Sequence, residues 1–252
     1  MIIDLKQEFH KFWQERLPWY GVVGLCLLMG YTAITTTDAQ TLMPQGFGID
    51  QWVIIILITV SSQFLAMEYQ NHTILNLLYR AQYQWQVYFA KALVLISYSG
   101  LLLCTGSVFT FLLKPLVIGA RDSWFTAAQQ SQTLSHAFLL NQVGTLVYSL
   151  FVVTLALCLL AIVHVNGVVI GIGLIVGFWG VNISRAIMLA SSNLAKVVAW
   201  NPLNMINVIT QLSEPSGQKI SNLTNGQLIS GNLIYTALFL SLGYICFKHR
   251  HI

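Results

Sequence analysis

The polar side chains between Glu68 and Lys91 are the part of this sequence best suited to chemistry with a partner. The stretch EYQNHTILNLLYRAQYQWQVYFAK separates two long apolar runs and carries an acid, two strong bases, several amides and four tyrosines. Tyrosine and arginine are typical anchors of protein interfaces, whereas general acid–base catalysis needs convergent titratable groups. The residue types therefore indicate a surface that another protein binds.

Motifs for catalysis and for nucleotide binding are missing from the chain. The sequence contains no glycine-rich loop followed by Lys-Ser or Lys-Thr, no HExxH and no GxSxG. We therefore expect no catalytic residue and no bound ATP. His72 and His164 stand alone, so we expect them to cap or hydrogen-bond rather than hold a metal. The cysteines lack metal-like spacing and are expected to be small buried hydrophobes: Cys26, Cys104, Cys158 and Cys246.

The composition indicates a membrane protein. Hydrophobic residues make up 56% of the chain and charged residues only 8%, with a mean hydropathy of +0.69. Soluble domains carry roughly 25% charged residues. The formal net charge of +4 is modest and does not call for a nucleic-acid partner. Basic residues beside membrane spans are expected to set topology and to meet anionic lipid.

The apolar runs predict an all-α, polytopic membrane protein with a single transmembrane domain, 1–252. Each run is near the ~20 residues that cross a bilayer. The predicted spans are 19–36, 49–67, 87–113, 138–163, 167–187 and 228–247. The fifth span is rich in glycine, which permits either close packing within the subunit or a dimer seam. Polar residues in the spans are expected to bond between helices or line a path: Asn141, Gln142, Asn182 and Ser184.

Segment 68–86 reads as an amphipathic helix between two spans. Ile74, Leu77, Leu78, Ala81 and Trp85 recur at helical spacing. Periodicity alone fits two structures, a connecting helix at the membrane surface or a helix that a cytoplasmic partner holds. Glu68 likewise fits two interpretations, an interfacial acid that snorkels to the membrane surface or an ion-pair partner for Arg80 or for a basic residue of a partner protein.

The individual residues of this segment resemble the cytosolic coupling region of ABC-2 type exporter permeases, particularly the bacitracin and lantibiotic self-immunity group. That pattern has a Glu, a Gly-Thr pair, two leucines, a Pro and Arg, and a Lys that opens the next span. Glu68, Thr73, Leu77, Leu78 and Lys91 match it. The sequence departs from the pattern at His72, Ala81 and Gln84.

The resemblance implies that segment 68–86 is a cytosolic coupling helix contacted by separate ABC ATPase subunits. ATP and Mg²⁺ would then be bound by those partners and not by this chain. The resemblance also implies a second permease subunit, identical or homologous. The residues expected to bind the ATPase are Glu68, Thr73, Asn76, Tyr79, Arg80, Tyr83, Gln84 and Lys91.

Residues 1–17 predict an interfacial elbow helix. Ile2, Leu5, Phe9, Phe12 and Trp13 form one stripe, and the charged residues Asp4, Glu8, Lys11 and Glu15 lie opposite. Such a helix lies flat among lipid headgroups. A proline at position 18 should break it before the first span.

Residues 188–227 predict an extracellular segment with short helices. Asn201 is expected to cap a helix that has Pro202 in its first turn. Its apolar side would be formed by Leu203, Ile206, Ile209 and Leu212. This helix is too short to cross a bilayer, and a crossing would bury asparagines at considerable cost.

The distribution of Lys and Arg places both termini in the cytoplasm. The resemblance implies a multi-pass cell-membrane permease that exports an amphipathic peptide or drug-like substrate by alternating access, and it suggests antimicrobial peptide or lantibiotic immunity as the function. The same architecture serves drugs, lipids and polysaccharides. Two other classes remain, a non-transporting scaffold and an intramembrane enzyme, and no convergent catalytic set is evident for the latter.

Overall fold

A computed structural model describes residues 2–36, 38–70, 84–119, 123–125, 133–190 and 195–248. Within these ranges the chain forms seven long helices, which we number in chain order. They are α1 (Ile2–Gln14), α2 (Leu17–Thr35), α3 (Ile49–Gln70), α4 (Gln84–Val117), α5 (Leu134–Val163), α6 (Asn166–Ala190) and α7 (Asn225–Lys248).

Short helical pieces connect the long helices at two places. Ala39–Leu42 and the 3-10 turn Gly46–Gly48 lie between α2 and α3. Five pieces precede α7: Ala195–Val198, Pro202–Asn207, Val208–Gln211, Pro215–Gly217 and Gln218–Ser221. No β-strand occurs in the described ranges.

Helices α2 to α7 are each long and apolar enough to cross a membrane. They have 19 to 34 residues, and their best windows have a mean hydropathy of 1.5 or more. At about 1.5 Å per residue even the shortest nearly matches the ~30 Å hydrocarbon layer. The prediction of an all-α polytopic protein with six spans is confirmed. The largest offset from a predicted span end is four residues, at Leu134 and Val117.

One end of the bundle carries both the N-terminal helix and the end of the last span. Glu8 in α1 accepts a hydrogen bond from Lys91 near the start of α4, and Tyr88 of α4 packs 5.5 Å from Phe247 of α7. We call this the terminal end. The opposite end carries residues 38–48 and the segment 195–224, and we call it the capped end.

Helices α3 and α5 form the centre of the bundle. In their apolar windows 67% and 61% of residues are buried, against 28% in α2 and α6 and 22% in α7. Helix α5 packs against α3, α4, α6 and α7. The peripheral helices expose apolar side chains, including Leu27, Trp179 and Ile234, as expected of surfaces that face lipid.

The glycines of α6 allow it to approach α3 closely at one point. A Cβ at Gly173 would lie only 2.2 Å from Ile58 Cγ2, so α6 and α3 can pack at this distance only because no side chain intervenes. At Gly167 and Gly171 no heavy atom lies within 4 Å of such a Cβ. Close packing within the subunit therefore explains Gly173, and a dimer seam stays a prediction for the others.

The break between α1 and α2 lies earlier than the proline that causes it. Helix α1 ends at Gln14, and Pro18 lies in the first turn of α2. Gln14 is the residue four before Pro18, whose carbonyl the pyrrolidine ring would meet in a continuous helix. The predicted elbow is thus present, with its bend at Glu15 and Arg16.

Two of the sequence expectations about side-chain burial are wrong. Among the cysteines only Cys158 is buried, and Cys104 is exposed on the outside of α4. In α1, Glu8 is buried although we expected it on the charged face, and Phe9 of the apolar stripe is 37% exposed. Glu8 is buried because it forms an ion pair with Lys91 of another helix.

Candidate coupling site at the terminal end

Four charged side chains from three helices meet at the terminal end. Lys91 Nζ lies 2.7 Å from Glu8 Oε2 and 2.7 Å from Glu68 Oε1. Lys11 Nζ lies 2.7 Å from the same Glu68 oxygen. We call Glu8, Lys11, Glu68 and Lys91 the ion cluster. It joins α1 to the last turns of α3 and the first turns of α4.

The ion cluster is buried except at Lys11. The side chains of Lys91 and Glu68 are 0% and 1% exposed, whereas that of Lys11 is 39% exposed. Burying an isolated charge costs several kcal/mol, so charges in such a place persist only when paired and hydrogen-bonded. Two acids and two bases make the cluster formally neutral, and each acid accepts a hydrogen bond from a lysine.

Aromatic rings form the apolar floor of the ion cluster. Lys91 Nζ lies 4.4 Å from the centre of the Phe64 ring, which adds a cation–π attraction. The ring of Phe12, 1% exposed, packs edge-on against Phe64 at 5.0 Å and against Tyr98 at 5.2 Å. Tyr98 also donates a hydrogen bond to the carbonyl of Pro18. The elbow between α1 and α2 is therefore fixed to α4.

The position of the ion cluster relates it to the predicted coupling helix. Glu68 lies two residues before the end of α3, and Lys91 lies seven residues after the start of α4. The two helices that flank residues 71–83 are thus bonded to each other and to α1.

The structure brings together only two of the eight predicted coupling residues. Glu68 and Lys91 point into the ion cluster, and Gln84 is the first residue of α4. The other five lie outside the described residues: Thr73, Asn76, Tyr79, Arg80 and Tyr83. ATPase binding by these eight residues stays a prediction. One interpretation made Glu68 an interfacial acid that reaches the lipid headgroups. That interpretation is wrong, because the Glu68 side chain is buried.

Sequence reasoning missed Glu8, Lys11 and Phe64 as parts of this site. Glu8 and Lys11 are three residues apart and therefore share a helix face, which is the only local signal that they act together. An acid such as Glu68 at the end of a span requires a partner. The sequence does not reveal which partner, since Glu8 and Lys91 are 83 positions apart.

Residues 195–224, which we call the outer segment, close the capped end with a buried polar network. As predicted, Asn201 caps a helical turn that begins at Pro202, accepting the Asn204 N–H at 2.9 Å. The turn is a 3-10 helix and not the regular amphipathic α-helix that the apolar spacing suggests. Its asparagines are buried and satisfied: Asn204 donates to the carbonyls of Ala199 and Ser221.

The outer segment buries polar side chains as well as apolar ones. Asn204, Asn207 and Gln211 are buried, whereas Leu203 and Ile206 are only half-buried. The segment therefore buries asparagine and glutamine side chains beside the apolar side chains of Met205, Val208 and Ile209. No helical piece in the described part of the segment exceeds six residues, so none can cross a bilayer.

Helices α5, α6 and α7 all bond to this network or to its neighbours. Asn141 of α5 donates to the carbonyl of Pro44 and accepts from Ser213. Ser184 of α6 accepts from Asn201, and Asn232 of α7 donates to the carbonyl of Met205. The span residues Asn141 and Ser184 thus bond between elements, which was one of their two predicted roles.

A comparison with known families identifies the broad class of the protein. A family model described as ABC-2 family transporter protein matches residues 5–180. The chain belongs to the ABC-2 transporter family. It is therefore a multi-pass membrane transport component, and the matched residues of this ABC-2 protein include the whole ion cluster. No curated protein matches the chain.

Proposed function

We propose that this ABC-2 protein is the permease subunit of an exporter whose ATP hydrolysis takes place on separate cytoplasmic ATPase subunits. Membership of the ABC-2 family supports a transport role. The ion cluster is the observation that carries the coupling proposal, because it bonds both helices that flank residues 71–83 to the elbow helix. ATP and Mg²⁺ would be held by the partner.

In this proposal the ATPases press on residues 71–83, and the terminal ends of α3 and α4 move with α1 as one body. Packed cores switch between discrete arrangements more readily than they deform continuously. A unit of three helices held by buried ion pairs fits such rigid-body motion. A second permease subunit, identical or homologous, would face this one across the transport path.

The proposal places the terminal end in the cytoplasm. Lys6, Lys11, Arg16, Lys91 and Lys248 lie at that end. Basic residues concentrate on the cytoplasmic side of membrane proteins. The described part of the capped end carries one base fewer, two of them within the spanning helices α4 and α6 and two in the outer segment: Lys114, Arg185, Lys196 and Lys219.

The substrate in this proposal is an amphipathic molecule, and the residue pattern at Glu68, Thr73 and Lys91 suggests an antimicrobial peptide such as a lantibiotic. Survival of cells expressing the chain with its ATPase, challenged with a lantibiotic, tests that choice. Protection that needs ATP hydrolysis is expected. If survival is unchanged and the protein instead exports a drug, lipid or polysaccharide, then that molecule and not the peptide is the substrate.

The coupling role is tested by a triple variant, Tyr79→Ala with Arg80→Ala and Tyr83→Ala. Aromatic anchors dominate protein interfaces, whereas one exposed ion pair contributes only about 0–1 kcal/mol. We expect the ATPase that co-purifies with the variant to fall at least about tenfold, the equivalent of about 1.4 kcal/mol. Membrane insertion should stay normal.

A matched control removes an aromatic and a basic side chain at the other end of the bundle. Phe125 and Lys219 are both exposed at the capped end. The double variant Phe125→Ala with Lys219→Ala should keep its ATPase. A triple variant that inserts, retains its ATPase and supports efflux would reduce segment 68–86 to a connector.

A further inference from the structure

A groove near the capped end is left open between α3, α6 and the outer segment. Its volume is about 250 Å³. Gln51, Phe178 and Thr210, all exposed, lie along its rim.

The walls of the groove are apolar apart from one acid and a few amide and hydroxyl groups. Ile54 of α3, Val181 of α6 and Ile206 of the outer segment contribute aliphatic surface. Gly177 leaves space in the groove, because a Cβ at this position would have its nearest neighbouring heavy atom 3.9 Å away. None of the lining residues is basic.

Asp50 is the one charged residue that lines the groove. Its Oδ1 accepts the Gln51 N–H at 3.0 Å, and it forms no ion pair with any residue that the structure describes. Its place in the first turn of α3, where the helix dipole is positive, offsets part of the cost of burying its negative charge. The groove therefore has a negative charge that no cation of the described chain neutralises.

The depth of Asp50 suits a molecule that lies at the membrane surface. The 22 residues of α3 span about 33 Å, close to the ~30 Å hydrocarbon layer. Asp50, in the first turn, is then at the edge of that layer, and Ile54 lies one turn deeper. A ligand with a charged head and an apolar body would match both levels at once.

We propose that the groove at Asp50 binds a cationic amphipathic molecule, an alkyl or aryl ammonium, that enters from the lipid leaflet at the capped end. The ammonium group pairs with the Asp50 carboxylate, and the first few carbons lie between α3 and α6. This inference deepens the proposed function, on which its role in transport rests, by naming the charge of the substrate. Binding itself requires neither ATP nor the partner ATPase.

Photolabelling of the purified full chain in nanodiscs of zwitterionic lipid tests this site. The probes are a decylamine and a decanol that carry the same diazirine near the polar end, and labelled peptides are mapped by mass spectrometry. We expect the amine to label peptides that contain Asp50 to Ile54 and Gly177 to Val181. Charge-assisted hydrogen bonds justify about a tenfold weaker half-saturation for the amine in Asp50→Asn, with no change for the alcohol.

Two controls separate the groove from the surface around it. Glu214→Gln removes an exposed acid of the outer segment, and Gly171→Leu adds a side chain to α6 where nothing lies within 4 Å. Both should label like the wild type. Gly177→Leu fills the groove and should abolish labelling there by both probes. If that variant fails to fold, the Asp50→Asn comparison still decides the matter.

Equal labelling of the groove by amine and alcohol in the wild type would overturn the proposal in favour of a neutral lipid. An equal loss in Glu214→Gln and Asp50→Asn would also overturn it, since the effect would then be general surface charge. A result that overturns the groove proposal would leave the amount of co-purified ATPase, and hence the proposed function, unaffected. Conversely, a chain that binds the amine but never an ATPase would refute the proposed function and keep the groove.

Discussion

At the residue scale, Lys91 is the member of the ion cluster whose removal should destabilise the fold most. It is the one base that contacts both acids, and its side chain is fully buried. Lys91→Met leaves Glu8 without its only cluster partner, and breaking such buried pairs costs about 3–5 kcal/mol. We expect a lower midpoint of SDS unfolding, followed by circular dichroism. Lys6→Met removes an exposed charge from α1 and should have little effect.

The same geometry predicts a much smaller effect at Lys11. Its side chain is 39% exposed, and Glu68 keeps its bond to Lys91 when Lys11 is removed. Exposed ion pairs contribute about 0–1 kcal/mol, so Lys11→Met should lower the free energy of unfolding from the same titration by less than about 1 kcal/mol. Equal losses for Lys11→Met and Lys91→Met would show that burial does not set the strength of the cluster.

At the scale of single elements, Gly144 of α5 determines how closely the outer segment can approach. A Cβ at this position would lie 2.5 Å from the Val208 carbonyl oxygen and 2.8 Å from Ile209 Cα. Both are backbone atoms, which cannot swing away as a flexible side chain can. Gly144→Ala should therefore displace residues 202–211 and cost about 1–3 kcal/mol, in the range of overpacked cores.

Limited proteolysis at the capped end measures that displacement. The variant should be cleaved in the outer segment faster than the wild type while its helix content is retained. Gly100→Ala in α4 is the control, because nothing lies within 4 Å of its Cβ. Unaltered cleavage of Gly144→Ala would mean that the segment tolerates a shift of several tenths of an ångström.

The sequence predicts the spans well and the burial of polar groups poorly. Long apolar runs have few alternatives to a spanning helix, so six spans follow from hydropathy alone. Periodicity in residues 203–212 distinguishes two sides of the outer segment but not which side meets protein. Ile209 of the apolar side is buried, but so are Asn204 and Gln211, because other parts of the chain supply their hydrogen-bond partners. The ion cluster depends on contacts between distant positions, for which one sequence has no signal.

At the scale of the whole molecule, the arrangement of spans is open to a direct test. Ser216 at the capped end and Lys248 at the terminal end are both exposed. In a chain whose four cysteines are replaced by alanine, we expect a membrane-impermeant maleimide to label Ser216→Cys in intact cells. Lys248→Cys should be labelled only after permeabilisation. Labelling of both from one side would contradict the opposite placement of the two ends.

The dependence of the outer segment on α7 has a consequence for synthesis. Asn232 and Tyr235 donate hydrogen bonds to the carbonyls of Met205 and Trp200, which precede them in the chain. Those carbonyls therefore gain these partners only when the last span has been inserted. A nascent chain that still lacks α7 therefore lacks both of these hydrogen bonds, and the cap is completed only after α7 has been inserted.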